Sequence, residues 1–497
     1  MFPTLSFQDL EFAPDVLAGR VARAAGALNR AGIRNGDSFA LMLRNGPTLI
    51  ELMLAARQTG AYFVPLNWHF KGEETGYILR DSGARLLIIG AEFYPAIREN
   101  VPAEIPVYIL GRHGELHARD WDEAVAGAVP YSGNSERITA AIAYTSGTSG
   151  RPKGVRRRIP VATGPAGSIE SMTRMWTAAF GVASDSRCLI SAPLYHTAPC
   201  SYVMHAARSG AWLRVESRFN PEATLAAIER YRISHMYLVP TMFVRLLRLP
   251  EQVRQRYDPA SVRFVISTGA PCAPEIKREM TQWWGDVIYE SYAASELGYV
   301  TVISSAEARH KPGSAGRPLD GVSIRILNEE LRDVAPGTIG TIYVQQTLSP
   351  DFTYINRQSD RAALQHDDFV TVGDIGYLDR DGYLYVTDRR NDLVISGGVN
   401  IYPAEIEMHL IAMPGVADCA VFGVPDPEFG QSLVAVIQPI GDVVLDCVSV
   451  REFLASRLAK FKIPAVIEFR NSLPREETGK IFKRRLRDEY TTHRTTG

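Results

Sequence analysis

Helical and extended patterns alternate from the start of the chain to residue 267, and this alternation constrains the fold more than any other feature. Apolar residues recur at helical spacing over residues 15–31, and Gly32 then predicts a helix end. The other elements predicted in this way are strands over 38–43, 60–66, 86–89, 188–192, 236–239 and 262–267, and helices over 50–59 and 223–231. Because strands that alternate with helices tend to pair in parallel, we expect mostly parallel sheets with helices packed on them.

The pattern changes in the last third of the chain. Residues 322–344 alternate in short stretches broken by Pro336, Gly337 and Gly340, which predicts a small antiparallel β region. The residues after 388–392 have a βα pattern of their own, and a length of 497 residues exceeds what one hydrophobic core usually organises. We therefore predict an α/β fold in which residues 1–390 form a large N-terminal domain of mixed, mostly parallel sheets with flanking helices and the small β region. Residues 391–497 are predicted to form a small, mobile α+β C-terminal domain.

The charge balance argues against proteins that bind nucleic acid or an anionic membrane through a bulk field. The chain has 54 basic and 55 acidic residues, and its hydrophobic and charged fractions of 46% and 22% are ordinary for a globular protein. One local basic run occupies residues 156–158. Two interpretations of this run remain open, a solvated turn and a role in steering phosphates.

Cysteine usage and the N-terminal residues bear on the compartment. The five cysteines are odd in number and lack CxxC spacing, which argues against a disulfide framework or a zinc site. Asp9, Glu11 and Asp15 lie where a signal peptide needs an uninterrupted apolar stretch. No run reaches the roughly 18 apolar residues of a membrane helix. We therefore expect a cytoplasmic protein without an integral membrane segment.

A loop rich in serine, threonine and glycine follows a short apolar run at residues 139–144, which predicts a buried strand. Its candidate phosphate-binding residues are Thr145, Ser146, Gly147, Thr148, Ser149, Gly150 and Lys153. Glycines let the backbone approach a phosphate, whose oxygens then accept hydrogen bonds from N–H groups and hydroxyls. The loop is not a Walker A motif, because Pro152 and Gly154 flank the lysine and disfavour a helix there. The pattern predicts a polyphosphate site, and an ordinary Ser/Gly linker is the alternative.

Lys480 lies on a glycine turn near the C-terminus, within residues 474–480. A carboxylate that attacks the α-phosphorus of ATP brings two anions together, and a cation between them lowers this repulsion most in the transition state. The loop and the lysine together therefore predict that the protein uses ATP to activate an acid.

Further motifs follow in a fixed order along the chain. They are Tyr195-His-Thr-Ala-Pro199, Ser267-Thr-Gly-Ala-Pro271, Tyr292-Ala-Ala-Ser-Glu296, Gly313-Ser-Ala-Gly-Arg-Pro318, Thr371-Val-Gly-Asp374, Asp388-Arg389, Ser396-Gly-Gly398 with Pro403-Ala-Glu-Ile-Glu407, and Thr478-Gly-Lys480. With the loop at residues 145–154, they resemble the signature motifs of the adenylate-forming (AMP-binding) superfamily, which includes acyl-CoA synthetases and fatty- or aryl-acid CoA ligases. The resemblance spans nearly the whole chain.

The resemblance implies roles for single residues of the nucleotide site. Lys480, Glu296 and Ser295 are implied to be catalytic, with Glu296 as the magnesium ligand and Ser295 as a donor to the α-phosphate. Tyr292 is implied to stack on adenine, and Asp374 to accept the ribose hydroxyls. The further residues implied to bind ATP or AMP are Gly269, Ala270, Pro271 and Arg389, beside the seven loop residues named above.

The C-terminal motifs imply that the small domain moves between two half-reactions. Members of the superfamily rotate this domain about a residue that corresponds to Asn391 here, where relatives usually have Asp or Lys. Ser396, Gly397 and Gly398 are implied to line the tunnel for the pantetheine arm of coenzyme A, with a simple β-turn as the alternative. After the rotation, the thiol attacks the acyl-adenylate and AMP leaves.

The acyl pocket is predicted from positions near these motifs. The candidates are Tyr195, His196, Met204, Tyr237, Thr241, Met242, Ser267, Gly269, Ser291 and Ala293. They are mostly apolar or small and include no cation for a second carboxylate, which favours a hydrophobic monoacid. Ser291 and Ala293 replace the glycines of many relatives, so they narrow the expected pocket. His196 has two open interpretations, a core histidine and a direct role, and the segment at residues 353–356 has no assigned role.

We therefore predict an enzyme, an acyl-CoA ligase that activates a fatty or aromatic acid with ATP and Mg²⁺ and transfers it to coenzyme A. Its expected partners are these small molecules and no nucleic acid, and we expect a monomer or a homodimer. One alternative is a stand-alone adenylating enzyme that loads a carrier protein. Another is a non-catalytic protein that binds acyl-adenylate or AMP, and a luciferase-like oxygenase is more remote.

Overall fold

The computed structural model describes residues 2–111, 118–133, 141–145, 152–157, 169–390, 392–396, 399–441, 443–474, 481 and 483–495. In these residues, the α-helices are α1 (Pro14–Arg30), α2 (Pro47–Thr59), α3 (Gly72–Asp81), α4 (Trp121–Ala126), α5 (Ile169–Phe180), α6 (Thr197–Ser209), α7 (Pro221–Tyr231), α8 (Pro240–Leu247), α9 (Glu251–Arg254), α10 (Pro274–Trp284), α11 (Ser305–His310), α12 (Gln358–Ala362), α13 (Pro403–Ile411), α14 (Cys447–Ala455) and α15 (Lys483–Thr495). Short 3₁₀ helices occupy Tyr94–Ala96, Arg98–Asn100 and Lys460–Lys462.

The strands are β1 (Leu5–Phe7), β2 (Leu10–Phe12), β3 (Ser38–Met42), β4 (Tyr62–Pro65), β5 (Ala84–Gly90), β6 (Val107–Leu110), β7 (Arg119–Asp120), β8 (Ala143–Thr145), β9 (Lys153–Arg157), β10 (Arg187–Ile190), β11 (Trp212–Val215), β12 (His235–Leu238), β13 (Phe264–Ser267) and β14 (Ile288–Ala294). They continue with β15 (Gly298–Ser304), β16 (Arg317–Pro318), β17 (Val322–Leu327), β18 (Gly340–Gln346), β19 (Phe352–Tyr354), β20 (Gln365–His366), β21 (Phe369–Val370), β22 (Asp374–Leu378), β23 (Leu384–Arg389), β24 (Val394–Ser396), β25 (Val399–Ile401), β26 (Val416–Asp426), β27 (Gly430–Pro439) and β28 (Val466–Phe469).

Two sheets with parallel strands form the α/β part of the large domain. One has the order β4-β3-β5-β6-β7 and is parallel throughout. The other runs β16-β15-β14-β13-β12-β10-β11-β1-β2, with parallel pairing from β14 to β1 and antiparallel strands at both edges. Residues from both sheets and their helices, such as Phe63 and Val203, share one continuous apolar core. The predicted parallel α/β architecture is confirmed.

Local signals explain where the first helices begin and end. α1 and α2 begin at Pro14 and Pro47, because a proline ring suits the first helical position, where no N–H is needed. α2 therefore starts three residues before the predicted residue 50. Gly60 ends α2 in the left-handed conformation with φ 74°, so the strand predicted from residue 60 begins only at Tyr62.

Two antiparallel β-sheets, one of six strands and one of three, adjoin the parallel sheets. β17 and β18 pair antiparallel within the sheet that also contains β20 to β23, which confirms the antiparallel region predicted at residues 322–344. A three-stranded sheet has the order β19-β9-β8, and both of its pairings are antiparallel. The hairpin of β8 and β9 encloses residues 146–151, which lie outside the described residues. This sheet holds both ends of the predicted phosphate loop.

The C-terminal part has a core of its own. β26, β27 and β28 form a sheet covered by α13, α14 and α15, and β24 and β25 form a hairpin beside it. Its buried apolar residues, such as Ile406, Val421 and Leu454, cluster with one another. The predicted small C-terminal domain is thereby confirmed as a unit of the fold, whereas its mobility and the boundary at residue 390 stay predictions.

No helix in the described parts of the chain combines the length and the apolar composition that a membrane span requires.

Candidate functional site

Four of the predicted site segments follow the carboxyl ends of neighbouring parallel strands. Tyr195 follows β10, Thr241 follows β12, Gly269 follows β13, and Glu296 follows β14. Because β10, β12, β13 and β14 lie side by side and parallel, these segments lie along the same edge of the sheet. Ligands of open α/β sheets bind at this edge, outside the carboxyl ends of the strands.

Glu296 lies at the centre of a polar cluster. The Tyr354 hydroxyl donates a hydrogen bond to Glu296 Oε1 at 2.9 Å, and Thr145 Oγ1 lies 3.4 Å from the same oxygen. Next to it, Ser295 Oγ lies 2.7 Å from Thr197 Oγ1. Burial and the nearby Glu296 charge raise the pKa of the Tyr354 phenol, so this group stays protonated and donates. A carboxylate among hydroxyls has the oxygen chemistry that a hard cation such as Mg²⁺ prefers.

Lys153 approaches the same cluster from β9. Its Nζ lies 2.8 Å from Asp360 Oδ2 and 5.0 Å from the centre of the Tyr354 ring. The hydrogen bond from Lys153 holds the pKa of the Asp360 carboxyl below its usual range. The structure therefore places a cation beside the Tyr354 ring, whose hydroxyl bonds to Glu296.

Helix α3 holds both ends of the predicted phosphate loop. The Tyr144 hydroxyl, before the loop, donates to Asp81 Oδ2 at 2.7 Å. The Tyr77 hydroxyl donates to the carbonyl oxygen of Pro152, after the loop, at 3.2 Å. A Cβ at Gly154 would lie 2.7 Å from the Tyr144 ring, so only glycine fits where the two ends of the hairpin pass each other. The loop thus starts and ends at anchored positions.

In the basic run at residues 156–158, Arg157 fits neither a solvated turn nor a group that steers phosphates from the surface. This side chain is partly buried and donates to the main-chain carbonyl oxygens of Glu296 and Ser295, each at 2.8 Å, and of Pro350 at 3.0 Å. Arg156 extends elsewhere, with its guanidinium 4.3 Å from the centre of the Tyr62 ring. Arg157 is therefore neither in a solvated turn nor directed at solvent as a phosphate-steering group. Residue 158 lies outside the described residues.

The predicted adenosine residues form a second group next to the polar cluster. The Tyr292 hydroxyl donates to Asp374 Oδ2 at 2.6 Å, and Arg389 Nε lies 3.4 Å from Asp374 Oδ1. Asp374 and Arg389 face each other across the β22–β23 pair. Burial and the Asp374 charge raise the pKa of Tyr292 well above its usual value. An aromatic face, a carboxylate and a guanidinium in contact match the chemistry of a nucleoside site.

The segment after β13 supplies backbone near this group. Gly269 has a left-handed φ of 95° and is exposed, followed by Ala270 and Pro271. A left-handed residue there favours glycine, because a Cβ would be strained at this φ. Their predicted nucleotide contacts stay a prediction.

An aromatic group surrounds the first predicted acyl-pocket residues. The Tyr195 ring centre lies 4.4 Å from that of His196 and 4.5 Å from that of Trp68, which it meets edge to face. Trp68 follows β4 of the other sheet, so both sheets contribute to this group. The sequence identified Tyr195 and His196 but not Trp68.

The other predicted acyl-pocket residues differ in burial. Tyr237, Met242, Ser267 and Ser291 are buried, whereas Met204, Thr241 and Ala293 are partly exposed. The Ser291 hydroxyl donates to the Thr301 carbonyl oxygen at 2.7 Å, and this bond holds β14 to β15. Ser267 Oγ is fully buried and has no hydrogen-bond partner among the described residues. Of these two hydroxyls, only that of Ser267 has its O–H group without an acceptor among the described residues.

Several predicted residues lie outside the described parts of the chain. They are Ser146, Gly147, Thr148, Ser149, Gly150, Asn391, Gly397, Gly398 and Lys480. Ser396, of the predicted coenzyme A tunnel, ends β24 and faces Val399 in the hairpin. The roles assigned to all the candidate site residues stay predictions.

Sequence reasoning missed four residues of the polar cluster. Tyr354 lies in the segment at 353–356, for which the sequence indicates no role. Thr197 lies in the motif at residues 195–199, of which the sequence indicates only Tyr195 and His196 as site residues. Arg157 and Asp360 were not assigned to the site. Alternation along β9 puts Lys153 and Arg157 on one face of the strand, and this was the signal that could have identified Arg157.

Comparison with known proteins is consistent with this arrangement. Residues 16–348 match the family described as AMP-binding enzyme, and residues 405–480 match the AMP-binding enzyme C-terminal domain. The chain belongs to the AMP-binding enzyme family. It is 34% identical over 481 residues to a feruloyl-CoA synthase of Amycolatopsis, with 95% of this chain and 93% of that protein covered. It is 31% identical over 474 residues to the long-chain-fatty-acid–CoA ligase FadD13 of Mycobacterium tuberculosis, with coverages of 94% and 91%.

A solved structure supports the same assignment. ATP-bound MatB from Rhodopseudomonas palustris is 28% identical and superposes with a TM-score of 0.84, covering 98% of this chain and 95% of that chain. The predicted membership of the adenylate-forming superfamily is confirmed, and so is the prediction of an enzyme of the AMP-forming acid–thiol ligase class.

Proposed function

We propose that this protein activates a hydrophobic monocarboxylic acid, fatty or aromatic, with ATP and transfers the acyl group to coenzyme A. In the first step, a carboxylate oxygen attacks the α-phosphorus, so that an acyl–phosphate bond forms and pyrophosphate leaves. In the second step, the thiolate of coenzyme A attacks the acyl carbonyl. The thioester forms, and AMP leaves with the oxygen that had linked it to the acyl group.

One observation supports this proposal most directly, namely that the polar cluster and the adenosine group meet at the same end of β14. Tyr292, bonded to Asp374, and Glu296, bonded to Tyr354, lie four residues apart around the end of β14. A nucleoside held by the first pair therefore has its phosphates close to the second. This spacing suits one nucleotide bound across both groups.

The charged residues then divide the first step between them. Glu296 would hold the Mg²⁺ that accompanies ATP, because carboxylate oxygens are the hard ligands that this ion prefers, and the ion would neutralise charge on the phosphates. Lys153 balances the charge of the triphosphate, and Ser295 donates to the α-phosphate. Lys480 bridges the attacking carboxylate and the α-phosphate, which brings the two anions together.

The second step requires a different position of the small domain. Lys480 acts on the adenylation step, and the thiol must later reach the same carbonyl. We infer that rotation about Asn391 moves the lysine away and brings the hairpin with Ser396, Gly397 and Gly398 to the site. The separate core of the small domain supports this inference, since a domain with its own core can move as a unit.

The proposed substrate class is supported by the aromatic and buried apolar residues of the predicted acyl pocket. Tyr195, Trp68, Tyr237 and Met242 present rings or apolar groups, which favours a hydrophobic acyl chain over a dicarboxylate or an amino acid. The names of the two curated relatives denote an aromatic acid in one case and a long-chain fatty acid in the other. We propose that the acid belongs to one of these two classes.

A panel of acids tests the function. AMP release is measured from Mg·ATP with short, long, aromatic and polycyclic acids, with and without coenzyme A. The proposal expects release that depends both on one class of hydrophobic acid and on coenzyme A. Pyrophosphate exchange without turnover on coenzyme A would favour the carrier-protein alternative, and ATP binding without exchange for any acid would favour the non-catalytic alternative.

Lys480→Ala tests the assigned division of labour. We expect adenylate formation to fall by about a thousand-fold or more, because the transition state loses its bridging cation. Thioester formation from supplied acyl-adenylate should stay within about two-fold of wild type. Stopped-flow or quench measurements of each half-reaction check this, and an equal loss of both would contradict the role.

A further inference from the structure

Arg157 connects three segments of the phosphate site from beneath. Its two terminal nitrogens reach the main-chain carbonyl oxygens of Ser295, Glu296 and Pro350 at 2.8, 2.8 and 3.0 Å. Ser295 and Glu296 lie in the connection between β14 and β15, and Pro350 lies just before β19. A single guanidinium thus joins β9, this connection and the entry to β19.

Each of these segments contributes a side chain to the polar cluster. β9 begins with Lys153, the β14–β15 connection contains Glu296, and β19 ends with Tyr354. Arg157 pairs in register with Phe352 across the β9–β19 ladder, two residues from the pair that places Tyr354. Arg157 therefore contacts the backbone of the segments that carry the cluster, and not their cluster side chains.

The bonds of Arg157 leave the Glu296 carboxylate available. Among the described residues, the guanidinium donates to three main-chain oxygens, whereas the carboxylate oxygen Oε1 of Glu296 is contacted by Tyr354 and Thr145. Burial lowers the pKa of Arg157 to about 10, while the charges of Glu296 and Asp351 raise it. The group therefore keeps its positive charge at neutral pH, beside a carboxylate that it does not neutralise by direct pairing.

We propose that Arg157 is a positioning residue that holds the backbone of Ser295 and Glu296, so that Glu296 is placed for the metal ion that accompanies the ATP phosphates. This inference rests on the proposed function. Without Arg157, three carbonyl oxygens lose a charged donor, and the β14–β15 connection can relax. The loss should act most on metal-dependent binding and adenylation. AMP needs no such metal and loses only the placement of Ser295, so its binding should weaken less than that of Mg·ATP.

Variants of Arg157 and of its neighbour test the proposal. Arg157→Gln removes the charge and the fork, Arg157→Lys keeps the charge without the planar fork, and Arg156→Gln is the matched control. Arg156 lies on the same strand but contacts the Tyr62 ring and the Gly36 carbonyl oxygen instead. Circular dichroism and thermal unfolding check that each variant folds.

The measurements separate positioning from general damage. For Arg157→Gln we expect the half-saturating Mg²⁺ concentration for ATP binding, measured by calorimetry, to rise about five-fold or more, and kcat/KM for pyrophosphate exchange to fall about ten-fold. AMP binding and thioester formation from supplied acyl-adenylate involve Ser295 but no metal, so we expect them to change by less than about three-fold, clearly less than Mg·ATP binding. Arg157→Lys should lie between Arg157→Gln and wild type, because one ammonium cannot serve three carbonyl oxygens.

Two results would overturn the proposal. One is an unchanged Mg²⁺ requirement in a folded Arg157→Gln protein, and the other is an equal loss of AMP and Mg·ATP binding. Failure of the proposed function is a different result, in which wild type shows no pyrophosphate exchange with any acid. The calorimetric comparison needs no acid, so it tests Arg157 in that case as well.

Discussion

At the scale of single residues, Lys153, which we propose to bind the ATP phosphates, already forms an ion pair within the protein. Its ammonium lies 2.8 Å from the Asp360 carboxylate, and Lys153 is mostly shielded from water whereas Asp360 is partly exposed. A phosphate that takes over this cation must therefore compete with Asp360. The pair sets a cost on nucleotide binding that the motif residues alone do not indicate.

Asp360→Asn tests this competition. We expect KM for ATP to fall by about two- to five-fold with kcat nearly unchanged, because an ion pair with an exposed partner is screened by solvent and competes only weakly. Pyrophosphate exchange at varied ATP concentration measures both parameters. Asp367→Asn is the matched control, since Asp367 is exposed and contacts Arg325 on the surface. A rise in KM for Asp360→Asn would show that this carboxylate helps ATP to bind.

Residues inside recognisable motifs could be predicted from the sequence, and residues that act by position could not. Glu296 and Asp374 occur in linear patterns, and the structure places both in polar clusters. Arg157 and Tyr354 join these clusters only because β9 pairs with β19, across almost two hundred residues. A pairing of that range leaves no local periodicity, so the contacts of Tyr354 could not be seen in the sequence. For Arg157, the alternation along β9 indicates a shared face with Lys153 but not the carbonyl oxygens that it contacts.

At the scale of the elements, a buried histidine in β12 affects stability at acid pH. His235 is 6% exposed, with its ring nitrogens 2.8 Å from Ser234 Oγ and 3.0 Å from the Gly181 carbonyl oxygen. Burial and the charge of Arg263 lower its pKa to about 4. The folded state therefore favours the neutral ring.

The sign of the pH effect follows from this shift. The unfolded chain takes up a proton near pH 6.5, whereas folded His235 takes it up only near pH 4, so acid favours the unfolded state. Between pH 7 and pH 5 we expect His235 to reduce the free energy of unfolding by up to about 2 kcal/mol. Urea unfolding of wild type and His235→Asn at both values measures this. An equal pH dependence in the two proteins would contradict the prediction.

The element boundaries show which local signals the sequence contains. Apolar spacing predicted α1 and most strands of the parallel sheets to within a few residues. The starts of α2 and β4 were missed because Pro47 and Gly60 act on backbone conformation, which apolar spacing does not report. β13 begins at Phe264 rather than at the predicted residue 262, because the Val262 N–H bonds to the Pro259 carbonyl oxygen in a local turn.

At the scale of the whole molecule, Arg248 joins the large domain to the small one. Its guanidinium, just after α8, donates to the carbonyl oxygen of Ala417 at 3.0 Å and also to that of Val416. A rotation of the small domain would break these bonds. The contact thus stabilises the domain arrangement of this structure relative to the rotated arrangement that we propose.

Arg248→Gln should therefore shift the balance between the two half-reactions. We expect the rate of one to fall and that of the other to rise or stay constant, with their ratio changing by about three-fold or more. Single-turnover measurements of adenylation and of thioester formation give this ratio. Arg245→Gln is the control on the same helix, since Arg245 packs over the Phe219 ring. Equal changes in both rates would mean that the contact has no part in domain movement.

The division into two domains could be predicted from the sequence, but the contact between them could not. The small domain is indicated by its own βα pattern, and its core confirms it as a unit. Arg248 lies outside every motif and donates only to backbone oxygens, for which the sequence of the acceptors is irrelevant. A contact of this kind leaves no pattern in either segment.

The pairing of β9 with β19 also determines when the site can form during synthesis. β9 ends at Arg157, and its partner strand β19 begins only at Phe352, so β9 is synthesised well before the strand with which it pairs. At roughly 5–20 residues per second, a ribosome needs on the order of 10–40 s to complete the intervening chain. During that interval one edge of the β8–β9 hairpin is open to other strands. The nascent protein is thus exposed to mispairing at the position where the finished enzyme is proposed to hold its nucleotide.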